Sequence, residues 1–469
     1  MIPILFAMLL LPLAGVLVAL IARRWASGIA VVVSLLELII FLLAAWQFAN
    51  GGKIVESYTF IPAINVNFEL ILNNITFVFT LLSVVVFLAV SIASRFFVSE
   101  ERTGYNLLLM LAEAGVLGLF LSGNLFILYL FWDFSIVALF FMLFHFGGYD
   151  RRYASLKFII YSIFSSSLLL IGIMLIYFYL PSHSFEIAQL MSTGYMIPKN
   201  AQLLILVLLL FAFMIKMPVF PFHSWAPDAY SEAPPGGAML LAGVLSKFGI
   251  YGLIILFVSL PLAKEYALYI AILFVLSSVY GAATALGQKN LKRMLSYLSI
   301  SEIGMIGFAI ATMNTLGMSG ALFGSLSHAL IISLLFLLAF VIEKLFGTSI
   351  ISRLGALIKR DKLVSYLFLF GIFAAIGLPL TSGFVTDLLI FLGGAKSFGI
   401  LILVPATAII INASYLFWIY KKIFLAGSEA EMFDLLDKNA KASMILLVLL
   451  IIFIGVFPPI ILNSIGAII

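Results

Sequence analysis

Residues 210–250 read LFAFMIKMPVFPFHSWAPDAYSEAPPGGAMLLAGVLSKFGI. An apolar run carries Lys216 inside it. Pro218 and Pro221 follow, so a helix must break or kink there. A short polar piece holds His223, Trp225, Asp228 and Glu232. Pro234, Pro235, Gly236 and Gly237 then open a second apolar run, and Lys247 sits inside that one. A charged side chain at the centre of a membrane helix costs roughly 2.5–3.5 kcal/mol on insertion scales. Irregular backbone at membrane depth survives only where protein or a water-filled cavity satisfies it. Two lysines beside a broken helix therefore mark a candidate functional site.

The rest of the 469-residue chain fits a membrane setting. It is 64% hydrophobic and only 10% charged, against about 25% charged in soluble domains. The first apolar run, from Ile2, lacks a basic leading region and a small-residue cleavage site, so it is expected to be a retained helix. Cysteine is absent. This excludes a cysteine-ligated iron–sulfur cluster, a disulfide and a thiol nucleophile in this chain. Four histidines leave little room for a haem or metal site. No Gly-rich phosphate loop or serine nucleophile elbow is present. The net charge of +5 does not point to nucleic acid, because the basic residues lie in short loops between apolar runs.

Apolar runs predict an all-α polytopic protein with about fourteen membrane spans. The fourth is expected over 106–122, the seventh over 201–219, the twelfth over 364–393 and the thirteenth over 398–420. Residues 51–72 (GGKIVESYTFIPAINVNFELIL) alternate apolar and polar in places and read as a hairpin-like outer loop. Nineteen of the 25 basic residues flank odd-numbered loops, four flank even-numbered ones, and Lys216 and Lys247 are the remaining two. The positive-inside rule then places both termini outside.

Asp133 precedes Lys216 by 83 residues, and Glu302 precedes Asp387 by 85. In both cases an acid in one span is followed, two spans later, by an ionisable group near a proline. The second case is GLPLTSGFVTD, residues 377–387. This echo suggests two inverted five-helix repeats with helices 7 and 12 broken. The expected division is 1–105 for helices 1–3, 106–261 and 262–425 for the two repeats, and 426–469 for helix 14.

KMPVFPFHSWAPDAYSEAPPGGAMLLAGVLSKFGIYG (216–252) resembles the signature of the antiporter-like membrane subunits shared by respiratory complex I, Mrp-type cation/proton antiporters and membrane-bound hydrogenases. LFILYLFWDFSIV (125–137), ALGQKNLKRMLSYLSISEIGMIGF (285–308) and GLPLTSGFVTDLLI (377–390) resemble further stretches of that family. The resemblance runs from about 70 to 425. It implies a proton-transfer axis of Asp133, Lys216, Lys247, Glu302, His328 and Asp387. Asp133 stands where the family usually has a glutamate, which shortens its reach by one methylene. Glu302 stands where some relatives have a histidine. Burial disfavours the charged form of lysine and a nearby carboxylate favours it, so the separation of Asp133 from Lys216 can act as a switch.

Glu113 and His223 are secondary candidates for the axis. Glu37 reads as structural or as a subunit contact, and Asp228 and Glu232 as parts of a surface helix. For Glu302, an ion pair with Lys292 or Arg293 is the competing reading. The resemblance implies an ion-translocating subunit, for protons or sodium, of a redox-driven complex in a prokaryotic plasma membrane. Its partners would be other membrane subunits and lipid, and any iron–sulfur cluster would lie in those partners. The alternative is a subunit of an Mrp-type sodium/proton antiporter not coupled to redox chemistry.

Overall fold

A computed structural model describes residues 3–64, 66–97, 102–427, 433 and 436–466. Ile2, where the first run was expected to begin, lies outside the described residues. So do the side chain of Arg102 and residues 428–432, 434–435 and 467–469 of the expected last segment.

The architecture is helical, as the apolar runs require. Among the described residues, thirteen runs are long and apolar enough to cross a membrane, against about fourteen expected. The difference lies near the C-terminus. Ser382–Leu425 is one such run, yet it contains the Ser382–Phe398 and Leu403–Tyr420 helices joined by a tight turn at Gly399–Ile402. The Lys362–Ala375 helix before it has only 14 residues. Residues 54–72 form an antiparallel hairpin, with Ile54 opposite Leu72 and Thr59 opposite Asn67.

Four runs form the centre: Asn74–Phe97, Pro235–Ser259, Leu291–Ala311 and Thr315–Phe346. About nine-tenths of each is buried, whereas Ile4–Ile21 and the helix after it are only one-third buried. Thr315–Phe346 has 32 residues, about 48 Å at 1.5 Å per residue, and so exceeds the roughly 30 Å of membrane hydrocarbon.

Short polar caps start several helices. The Asn124 side chain accepts from Phe126 N and Ile127 N, and that of Asn290 from Lys292 N and Arg293 N. Each satisfies amides that the first helical turn leaves without a partner. These two asparagines also occupy matching frameworks. Leu125 N donates to Phe185 O and Ile187 N to Gly123 O; likewise Leu291 N donates to Ser349 O and Ile351 N to Lys289 O. The same two-bond bridge therefore recurs in each half of the chain, joining one helix start to a loop about sixty residues on.

The Lys199–Lys216 helix stops where Pro218 predicts. The irregular stretch that follows is satisfied by protein. Val219 N donates to Met214 O, Phe222 N to Val219 O, and Phe220 N to Ser277 Oγ at 3.0 Å. The short Trp225–Glu232 helix comes next. Pro235 then opens the following helix in its first turn, where a missing N–H costs nothing.

Candidate functional site

Lys216 is the last residue of its helix and is 1% exposed. Its ammonium donates to Ser162 Oγ at 3.3 Å and lies over the Phe158 ring at 5.2 Å and the Trp132 ring at 5.8 Å. Trp132 is followed by Asp133 on the Leu125–Phe146 helix. Asp133 is partly buried, beside Tyr129 on its own helix. It acts on Lys216 at a distance. Among the described residues, no ion pair within 4.0 Å joins the two. The expected partners are thus held apart, with a hydroxyl and two aromatic faces around the ammonium instead.

Lys247 lies two residues past a π-helical turn, Leu241–Leu245. Such a turn withdraws a carbonyl from the regular ladder. Lys247 Nζ donates to that released oxygen, Ala242 O, at 3.1 Å, and to Ser246 Oγ at 3.2 Å. Its third partner is His328 Nδ1 at 2.5 Å. With lysine donating to Nδ1, the ring carries its own proton on Nε2. Nε2 faces Ser299 Oγ at 3.2 Å and Glu302 Oε2 at 3.6 Å. One imidazole therefore links the buried amine to the buried carboxyl.

Glu302 and His328 open onto a cavity also lined by Ser327, Thr386, Asp387 and Asn412. Ser327 Oγ donates to Ser382 Oγ at 2.8 Å. Asn412 donates to Ser301 Oγ and accepts from Tyr415 OH. Polar groups of this kind can hold water. The Asp387 carboxylate reaches back to the segment before its helix, where Oδ2 lies against Gly377. Gly377 has φ +71°, and any Cβ there would meet that oxygen. Glycine is needed on both counts.

The first half is more apolar. A cavity beside Trp132 is lined almost wholly by apolar side chains, among them Phe213, Phe248 and Leu256. Counted from the capping asparagines, Asp133 is the ninth residue and Glu302 the twelfth, so Glu302 lies one turn deeper along its helix than Asp133.

The structure thus brings Lys247, His328, Glu302 and Asp387 together, and places Asp133 and Lys216 as a separated pair. His223 is buried against Tyr280 and Tyr297, and its Nδ1 has no hydrogen-bond partner among the described residues. Glu113 lies off the row: it accepts from Ser34 Oγ, and its electrostatic neighbour is Glu37. Glu302 does not pair with Lys292 or Arg293, because Lys292 pairs with Glu343 at 2.9 Å and Arg293 with Asp228 at 2.6 Å. Asp228 also binds Lys157 at 2.7 Å, so it is an ion-pair bridge and not a solvated surface acid.

Sequence reasoning missed Ser162, Ser246 and Ser299, which hydrogen-bond the charged groups. Serines inside apolar runs were the available signal. Among the described residues, no cluster of three metal-ligating side chains occurs.

Residues 122–412 match the family described as NADH:quinone oxidoreductase/Mrp antiporter, TM. Over 98% of the chain, the sequence is 34% identical to NADH-quinone oxidoreductase subunit M of Rickettsia prowazekii, covering 96% of that protein. It is 32% identical to F(420)H(2) dehydrogenase subunit M of Methanosarcina mazei, covering 98% of this chain and 95% of that one. A chain in the structure of respiratory complex I from Thermus thermophilus with bound NADH has the same fold, with TM-score 0.89 and 24% identity, covering 99% of this chain and 98% of that chain.

Proposed function

Because the chain belongs to the family of membrane subunits shared by NADH:quinone oxidoreductases and Mrp antiporters, we propose that it is the ion-translocating, antiporter-like subunit of a redox-driven respiratory membrane complex. The observation that carries this reading is the buried run from Lys247 through His328 to Glu302. An imidazole bonded on both nitrogens can take a proton at one and release one at the other. From the other tautomer, with the ring proton on Nδ1 and Lys247 neutral, protonated Glu302 delivers a proton to Nε2 while Nδ1 releases one to Lys247, which leaves lysine charged and the ring protonated on Nε2. Asp387 loads Glu302 across the polar cavity. At the other end, the distance between Asp133 and Lys216 sets how firmly Lys216 holds its proton.

The relatives at 32–34% identity are named as subunits of redox enzymes, which supports the redox-driven reading over a gradient-driven antiporter. The driving force then comes from partner subunits, and any iron–sulfur cluster lies there. The recurring bridge at Asn124 and Asn290 supports two inverted five-helix repeats, 106–261 and 262–425, flanked by helices 1–3 (1–105) and helix 14 (426–469). The skew of basic residues supports a plasma-membrane subunit with both termini outside.

Ion transport into vesicles containing the intact assembly tests this, comparing wild type with Lys216→Ala, with and without electron donor. Donor-driven transport that needs Lys216 is expected. Transport driven only by an imposed pH or sodium gradient would overturn the redox reading.

A further inference from the structure

Two carboxyl groups stand apart from the lysine–histidine row. Glu37, on the Ala26–Gly51 helix, and Glu113, on the Arg102–Leu121 helix, are both 0% exposed. The two helices pack on each other. Ser34, nearly one turn before Glu37 on its helix, donates to Glu113 Oε2 at 3.0 Å. The remaining three oxygens, Glu113 Oε1 and both of Glu37, have no hydrogen-bond partner among the described residues.

Among the described residues, no base neutralises them. Among the described ion pairs, none involves Glu37 or Glu113. The Ile4–Ile21 helix carries no charged side chain. The Asn74–Phe97 helix carries only Arg95, exposed in a cleft with Trp25. Asp133 and His145 lie on the Leu125–Phe146 helix. In the hairpin, Glu56 accepts from Leu5 N and Phe6 N, and Glu69 lies by Gly123.

An ionised carboxylate in an apolar interior needs a counter-charge or several donors, and two side by side also repel. Among the described residues, one serine hydroxyl donates to Glu113 and none to Glu37. We propose that Glu37, Glu113 and Ser34 form a separate proton-binding site in the membrane, between the second and fourth helices and outside the lysine–histidine row. Glu113 accepts from Ser34, and Glu37, aimed at the same space and unpartnered, carries the acid proton. The outer face of the Ala26–Gly51 helix presents exposed Leu35, Leu36 and Ile39, so the site lies one helix in from a surface facing lipid or a partner subunit.

Dicyclohexylcarbodiimide tests the assignment without relying on transport. It adds the O–H of an undissociated carboxylic acid across one C=N bond, and the resulting O-acylisourea rearranges by an O-to-N acyl shift to a stable N-acylurea. The purified assembly is treated at neutral pH without sodium, and adducts are mapped by mass spectrometry. Adduct on Glu37 is expected, moving to Glu113 in Glu37→Gln and lost from both positions in the double Gln variant. Glu265, exposed and paired with Lys199, is the unreactive control. Absence of adduct on both glutamates in wild type, in a sample where Asp387 or Glu302 is labelled, would overturn the site. Protection by sodium at constant pH would overturn the proton assignment in favour of a sodium site.

Discussion

His328 stands between Lys247 and Glu302, with Nδ1 2.5 Å from the lysine ammonium and Nε2 3.6 Å from the glutamate oxygen. The ring is 4% exposed and sits in the 32-residue Thr315–Phe346 helix. Packing on all sides fixes the imidazole at this place and leaves proton exchange to its two nitrogens. His328→Gln keeps polar atoms near Lys247 and Ser299 but cannot carry a proton from one end to the other. Donor-driven ion uptake by vesicles is expected to fall on the order of 10²-fold, the low end for loss of a positioned acid–base group. Assembly of the complex, read by native gel, should be retained. Unchanged uptake would remove His328 from the path.

The separation of Asp133 from Lys216 gives a second test. No contact pair forms, and Ser162 Oγ holds the ammonium at 3.3 Å. Asp133→Glu adds one methylene of reach toward Lys216, and Asp133→Asn removes the charge. Uptake is expected to survive in Asp133→Glu and to fall at least tenfold in Asp133→Asn, a tenfold change being about 1.4 kcal/mol. Equal uptake in both variants would show that the charge at 133 does not govern Lys216.

Gly377 permits the approach of Asp387. Its φ of +71° is costly for any residue with a Cβ, about 1–2 kcal/mol, and the Asp387 oxygen occupies the space a Cβ would need. Gly377→Ala is therefore expected to displace the carboxylate from the cavity. Uptake should fall as in Asp387→Asn, while the melting temperature of the purified assembly drops by only a few degrees. Normal uptake in Gly377→Ala would separate Asp387 placement from transport.

Much of this was legible in the residue order, for local reasons. Pro218 and Pro221 remove amide donors, so the end of the Lys216 helix follows from residue type alone. The alternation over 51–72 has the two-residue period of a strand, and a hairpin stands there. Spacing of an acid from a later ionisable group pointed to Glu302 and Asp387, which line the polar cavity, yet it could not show that a histidine bridges Lys247 to Glu302, since the Lys247–His328 contact spans 81 positions. Glu113 was placed near the row because burial in an apolar run is readable and its neighbour is not; that neighbour, Ser34, lies 79 residues away. The boundary expected between 393 and 398 lies close to the tight turn Gly399–Ile402, which divides the Ser382–Leu425 run into two helices, so the lower count of runs reflects that turn's shortness and not a missing span. Asp228 looked like a surface acid beside Ser231 and Glu232. Its two cationic partners sit on helices that the chain reaches 71 residues before it and 65 after.

Asp228 accordingly supplies the last test. Its Oδ2 binds Lys157 at 2.7 Å and its Oδ1 binds Arg293 at 2.6 Å, with the aspartate side chain 16% exposed. One carboxylate thus ties a helix of the first half to one of the second, beside the irregular stretch that follows Lys216. Asp228→Asn keeps the size and one acceptor but leaves two cations facing each other without a counter-charge. Breaking a fully buried pair costs about 3–5 kcal/mol, and partial exposure reduces this to about 1–3 kcal/mol. The purified assembly should melt at lower temperature in Asp228→Asn. Asp228→Glu should restore part of the loss, because a carboxylate can again reach at least one cation. If the triad only braces the fold, uptake per assembled complex stays at the wild-type level. If it holds the Lys216 segment in place, uptake per complex falls with the melting temperature. An unchanged melting temperature in Asp228→Asn would show that water already screens both pairs.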